Sequence, residues 1–258
     1  MLLKLRATTA TTKSALLLIA VVAALSLPAM AQYTTPIAQS ARSGALGGSL
    51  LCDFDGRYVA LDWRRGYRLS ALDDKTLSLQ LPLGAGTALA AYSHRGTVDY
   101  HEQQALAAYV IPLTNGLRAG VSARWLQRGT SDAHYESRQW LAPSALLQAS
   151  WQATSLTLLA GTRPWDESRP WRMHLQAAYR PLPQLLTIAE LECEERTRMR
   201  LGMEYSYDCW QLRGGMATQP VVLTFGLGMR RPHYSIDLAV EVHSALGITP
   251  QTTLALWF

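Results

Sequence analysis

The densest chemistry of the chain lies in ELECEERTRMRLGME, residues 190–204, where carboxylates and then guanidiniums recur at every second position. A period of two places such residues on one face of a β-strand. Read as a hairpin turning near Glu195, the stretch sets Glu192 opposite Arg200 and Glu194 opposite Arg198, while Leu191, Cys193, Met199 and Leu201 occupy the other face. Opposite charges directly across antiparallel strands attract, so the chemistry expected here is ion pairing rather than catalysis. The catalytic signatures HExxH, GxSxG, the Walker loop and Cys/His zinc spacing are all missing from the sequence. The six His are scattered, and His174 and His243 read as hydrogen-bond partners of inward carboxylates rather than bases. No catalytic residue, metal ligand or cofactor is expected, and the chain reads as non-enzymatic.

The elements that must position these charges are strands. From Tyr58 onward apolar and polar residues alternate, as in KTLSLQL, where Leu77, Leu79 and Leu81 interleave with Thr76, Ser78 and Gln80. In WRMHLQAAY, Trp171, Met173 and Leu175 oppose Arg172, His174 and Gln176. YSIDLAVEVH repeats the pattern with Ile236, Leu238, Val240 and Val242 against Ser235, Asp237 and Glu241. A soluble sandwich would also alternate, hiding its apolar face on a second sheet. Here the segments are mostly eight to eleven residues long, matching the roughly 9 to 11 that a tilted transmembrane strand needs. Trp63, Trp125, Trp151, Trp171, Tyr179 and Trp210 fall near segment ends, where aromatic girdles sit at a membrane interface.

The fold expected is therefore all-β: a transmembrane antiparallel up-and-down β-barrel of about 14 strands, with a short non-barrel N-terminal segment. Fourteen segments can be counted back from the C-terminus, the outermost near 250–258 and 57–64. Short connections such as PLGAG, PLTNG, RPLP, SYD and RPH alternate with longer ones, including Arg128 to Pro143. An even count puts both ends of the barrel segment on the periplasmic side.

Residues 1–31 read as a signal peptide: Lys4, Arg6 and Lys13 precede an apolar run from Ala15 to Leu25 and a small-residue site, Ala29-Met30-Ala31. That run is too short for the roughly 20 residues of a spanning helix, so cleavage before Gln32 is expected. Three of the 24 Lys and Arg and none of the 19 Asp and Glu lie in it, leaving 21 basic residues against 19 acidic ones. The basic excess of the whole chain thus largely disappears, no basic cluster with interleaved aromatics remains, and nucleic-acid binding is not expected. Residues 32–56 do not alternate and are read as a periplasmic or plug segment, followed by the barrel at 57–258. Cys193 and Cys209 lie near opposite ends of one strand, beyond disulfide reach; Cys52 with Cys209 remains open.

The inward face would carry Asp62, Arg64, Arg118, Arg124, Arg172, Arg180, Glu190, Glu204, Arg213, Arg230, Asp237 and Glu241. Two readings of that set stay open: an arginine-lined pore selective for anions, or ion pairs that close the lumen. After Arg6 and the first two Lys are removed, 20 Arg face a single Lys, Lys75, and the planar fork of Arg suits fixed pairs.

SARSGALGGS, YHEQQALAAYVIPLTNGLRAGVSARWL and the closing LRGGMATQP, LTFGLGMRR and HSALGITPQTTLALWF resemble Bacteroidetes outer-membrane barrels of the PorV and PorQ type. Those are related in architecture to the fourteen-stranded FadL-like channels. The resemblance implies an outer-membrane protein of a Gram-negative bacterium that serves as a non-enzymatic accessory of type IX secretion or surface assembly. Secretion-system components or secreted cargo would be its partners. The alternative is a FadL-like channel for small hydrophobic or amphipathic ligands, and the third is a barrel enzyme. The chain departs from the PorV/PorQ pattern after ALGGS, where RYVALDW follows instead of an Asn-Pro-Ala-like element.

The C-terminus reads QTTLALWF, with Leu254, Leu256 and Phe258 on the lipid side and Trp257 alternating inward. A terminal aromatic on such a strand resembles the signal read by the outer-membrane assembly machinery. Deleting Phe258 is expected to lower insertion, measured as loss of heat-modifiable barrel from outer-membrane fractions; an unchanged amount would contradict it.

Overall fold

The computed structural model describes residues 40–48, 56–131, 137–163, 171–193 and 197–258. Fourteen antiparallel strands close on themselves, each bonded to its chain neighbours and β1 to β14. They are β1 Tyr58–Arg65, β2 Asp73–Leu83, β3 Gly86–Gly96, β4 Tyr100–Thr114, β5 Leu117–Thr130, β6 Arg138–Trp151 and β7 Thr154–Thr162. The second half comprises β8 Trp171–Leu182, β9 Leu185–Cys193, β10 Thr197–Tyr207, β11 Trp210–Ala217, β12 Val222–Arg230, β13 Tyr234–His243 and β14 Gly247–Trp257. Among the described residues a short helix, α1 (Ala41–Ala45), precedes them.

The alternation read in the sequence becomes an inside and an outside. Leu238 is 48% exposed on the outer surface while its neighbour Asp237 is 6% exposed in the lumen. The largest wholly buried side chains include Arg172, His174, Gln80, Gln251 and Glu190. A soluble protein would bury the leucines instead. Exposed Leu61, Leu77, Val121, Leu141, Leu175, Phe225 and Leu254 form the outer apolar surface, with Trp151, Trp171, Tyr179 and Trp210 exposed at strand ends. This is the distribution of a protein whose exterior solvent is hydrocarbon.

Two expectations need correction. The stretch Arg128 to Pro143, read as a loop, is largely sheet: β5 continues to Thr130 and β6 begins at Arg138, paired from Arg128↔Arg138 onward. Pro143 made the break look necessary, because proline has no N–H to give a ladder. In the structure it pairs with Ala123 of β5, and the pairing of β6 with β7 ends at Ser144, one residue short of it.

The second correction is one of register. Between β9 and β10, Arg198 lies opposite Glu192 and Arg200 opposite Glu190. Setting Glu192 opposite Arg200 would shift the strand by two residues from this register. A two-residue shift keeps every side chain on its own face, so the inward assignment of the charges is unaffected. Glu194 falls outside the described residues, as do Cys52, the expected signal peptide at 1–31, and residues 32–39 and 49–55 of the expected plug segment. Cys193 and Cys209 are free thiols.

Placing a charge on the outer face should be costly in a way that depends on depth. Leu238→Arg, in mid-strand, is expected to destabilise the barrel by about 2–4 kcal/mol, against about 0–1 kcal/mol for an Arg near the interface. Urea titration of the protein folded into lipid vesicles measures the difference.

Candidate functional site

The lumen is occupied by residues 40–48. Ser40 caps α1 by accepting a hydrogen bond from the Ser43 N–H at 3.2 Å, and its own N–H donates to Ser43 Oγ at 3.0 Å. This closed box lets a five-residue helix exist without extended neighbours. After it come Gly47 (φ +79°) and Gly48 (φ +75°), in a left-handed conformation that side-chain-bearing residues rarely adopt.

Three wall glycines receive this segment. Gly202 and Gly215 face each other on β10 and β11, and Gly226 follows on β12. A Cβ on Gly202 would lie 2.9 Å from Leu46 Cβ, one on Gly215 would lie 2.5 Å from the Gly47 nitrogen, and one on Gly226 would collide with Ala45 Cβ. Absence of side chains at these inward positions allows backbone to approach backbone. Ala41 and Ala45 pack on Ala239 of β13, and Leu46 packs on Leu186 and Ile188 of β9.

Polar contacts fix the remaining groups. The Ala41 N–H donates to Thr253 Oγ1 at 2.6 Å, and Thr253 in turn donates to Asp62, which also accepts from Gln251 Nε2 at 3.0 Å. The Gly47 N–H donates to Thr224 Oγ1 at 3.0 Å, whose hydroxyl donates to Ala45 O at 2.8 Å. Arg42 forks onto both oxygens of Glu204 at 2.8 and 2.7 Å. Glu204 also accepts from Arg213 Nε at 2.6 Å, and Arg213 reaches Asp237 at 2.6 Å. Bidentate charge-assisted bonds are among the strongest polar contacts a protein makes, and this one links the inserted segment directly to the wall.

The acidic and basic hairpin lies beside this seat. Arg200 donates to Glu190 at 2.7 Å and, diagonally, to Glu192 at 2.6 Å. Buried His174 lies between the same carboxylates, with Nδ1 3.1 Å from Glu190 and Nε2 3.6 Å from Glu192. Arg198 stands 4.0 Å from Glu192 and donates instead to the Gln219 carbonyl at 3.1 and 2.9 Å. Arg64 and Glu241 pair at 2.8 Å on the other side of the lumen.

The remaining sector of the wall is different. Leu89, Leu106, Val110, Leu146 and Leu159 of β3, β4, β6 and β7 line a hollow of only about 20 Å³, little more than one water molecule requires. Below the inserted segment, at the mouth formed by the short turns, a cavity of about 790 Å³ opens, lined in part by Arg42, Arg118, Arg180 and Arg230. At the same end Trp257 packs on Tyr58 with ring centroids 5.0 Å apart and carries the Arg230 guanidinium 4.4 Å above its ring. Leu254, Leu256 and Phe258 are exposed on the outer surface.

The glycine seat is the part that sequence reasoning missed. Its signal was present, since Gly202, Gly215 and Gly226 all occupy inward parity, but only the register shows that they are neighbours.

No family model matches the chain, and no curated protein matches it. Several solved structures share the fold. The toluene transporter TodX of Pseudomonas putida superimposes with a TM-score of 0.65 at 12% identity, over 88% of this chain and 98% of that one. The outer membrane protein Omp33 of Acinetobacter baumannii gives 0.56 at 10% identity, over 79% and 98%. The monoaromatic hydrocarbon channel CymD gives 0.55 at 10% identity, over 78% and 87%. The class defined by architecture is thus the closed β-barrel of outer-membrane proteins.

A side chain at the seat should expel the segment. With both described cysteines replaced by serine, a Ser43→Cys probe, buried in the structure, is expected to react slowly with a water-soluble maleimide. Adding Gly215→Leu should raise the rate at least about tenfold, the factor that accompanies ~1.4 kcal/mol of lost seating energy; an unchanged rate would show that the seat does not hold the segment.

Proposed function

We propose that the protein is a gated outer-membrane channel for small hydrophobic or amphipathic molecules, in which residues 40–48 are the gate. The observation that carries this reading is the seating of an N-terminal segment inside the barrel, on glycines and through one Arg42–Glu204 clamp. A structural plug needs no such separable latch. The wall opposite the clamp is apolar at Leu89, Leu106, Leu146 and Leu159, so withdrawal of the segment would open a path with one greasy side. TodX and CymD, whose descriptions name a toluene transporter and a hydrocarbon channel, lend support to a hydrocarbon-like cargo.

The proposal includes residence in the outer membrane of a Gram-negative bacterium after cleavage before Gln32, with Leu254, Leu256, Trp257 and Phe258 as the assembly address. It also treats the Glu190, Glu192, Arg198 and Arg200 cluster as structural support for the gate's seat. The secretion-accessory reading rests on the sequence resemblance to PorV and PorQ alone.

Uptake of small labelled hydrocarbons and alkyl amphiphiles by a strain lacking the gene should fall relative to the complemented strain. Arg42→Ala, which removes the clamp, should restore uptake while admitting small hydrophilic solutes as well. Equal uptake with and without the gene would reject the channel, and a defect confined to export of surface proteins would favour the secretion role.

A further inference from the structure

We propose that the outer face of β1 to β6, at the loop-side ends of those strands, is a binding site for a phosphate-bearing saccharide lipid of the outer leaflet. The proposal rests on residence in the outer membrane with the longer connections outside. Outward positions stand directly opposite one another across these strands as Trp63↔Lys75, Lys75↔His94, His94↔Gln103, Gln103↔Gln127 and Gln127↔Gln139. Two residues nearer the turns, the same register gives the outward row Leu61, Leu77, Tyr92, Ala105, Trp125 and Leu141. The apolar exterior of β2 to β6 therefore ends on a line of one ammonium, one imidazole and three amides. That line is confined to one side of the barrel. On β8 to β13 the positions of outward parity nearest the loop-side ends include Met173, Leu191, Met199, Met216, Leu223 and Val242, whereas a general interfacial girdle would run all the way round.

The charge of this face suits an anion. Lys75 is exposed there and is the only Lys in residues 32–258. Of the acids at the same strand ends, Asp73 shares the outer face and is held by Arg65 at 2.7 Å, a pair with no net charge. Asp74 and Glu102 have lumen parity, with Arg95 2.7 Å from the first and Arg128 2.8 Å from the second. Two imidazoles complete the donor set. His101 stacks on His94 with ring centroids 6.1 Å apart and planes 9° from parallel. Its ring lies over Gly129 of β5, where a Cβ would come within 2.6 Å of Nε2, so the glycine makes room for it. Rings held in this way lose little freedom when a ligand arrives, and an imidazole carries at least one N–H donor in either protonation state. Phosphate oxygens match the ammonium and the imidazole N–H groups, and the amides of Gln103 and Gln127, which both donate and accept, match sugar hydroxyls. A lipid meets both rows at once, with its acyl chains on Leu77 and Tyr92 and its headgroup on the polar line; a free phosphosugar would use only one of them.

Native mass spectrometry of the full-length protein in uncharged detergent, titrated with an acylated glucosamine disaccharide that carries two phosphates, tests the assignment. A saturable lipid adduct is expected, weakened at least about tenfold in a Lys75→Gln/His94→Gln double variant that keeps its heat-modifiable mobility. Lys75→Arg, which preserves a cation able to bind phosphate, should retain the adduct. No saturable adduct, undiminished binding by the double variant, equal binding of the same lipid stripped of its phosphates, or displacement by the acyl-free disaccharide bisphosphate would each overturn the proposal, the last in favour of a free solute. Recovery of the protein in outer-membrane fractions is scored separately. A chain found elsewhere rejects the residence on which the proposal rests, whereas a chain found there without the adduct rejects the lipid site alone.

Discussion

Seven residue pairs join β1 to β14, from Tyr58↔Trp257 to Arg64↔Gln251, and the remainder of the molecule depends on that seam. In hydrocarbon every backbone N–H and C=O must find a partner within the protein, because no water is there to replace one. An open fourteen-stranded sheet would leave two unpaired edges in lipid. Closure removes both edges, and in doing so turns the period-two alternation of each strand into an enclosed polar space with an apolar exterior.

That enclosure inverts the usual stability argument. The buried groups are Arg172, His174, Gln80, Gln251 and Glu190, whose desolvation is unfavourable unless hydrogen bonds and opposite charges compensate it. The compensation takes the form of shared partners rather than isolated pairs. Glu204 serves Arg42 and Arg213, Arg213 serves Glu204 and Asp237, and Arg200 serves Glu190 and Glu192. A carboxylate held by two guanidiniums is fixed in direction, and that rigidity is what makes Glu204 a defined latch point for the inserted segment.

The same barrel then has three unlike sectors. Small residues at Gly202, Gly215, Gly226 and Ala239 receive the segment, leucines and Val110 occupy β3, β4, β6 and β7, and arginines collect at the turn-side mouth. In the proposed channel the first of these sectors holds the gate and the second offers a surface to apolar cargo. The fold shared with TodX, Omp33 and CymD at 10–12% identity accommodates such differences because inward positions, unlike the ladder, are free to vary.

Strand number, membrane-facing parity and the inward side of each charge were legible in the linear chain, since lipid on one side and polar lumen on the other enforce alternation residue by residue. Leu77 and Gln80, or Leu238 and Asp237, declare their faces without any partner being known. Boundaries were less legible where a local rule had a non-local exception, as at Pro143, which is tolerated where the pairing of β6 with β7 has just ended. Register between β9 and β10 was less legible, and reading it two residues off still gave the right face but the wrong opposite neighbours. What only the tertiary structure decided was adjacency around the ring: that glycines 13 and 11 residues apart in sequence form one seat, that Arg42 meets a glutamate 162 residues away, and that three distant arginines share one cavity. Parity is a property of a single strand, whereas a seat, a latch or a pocket exists only after closure has fixed which strands are neighbours and at what height.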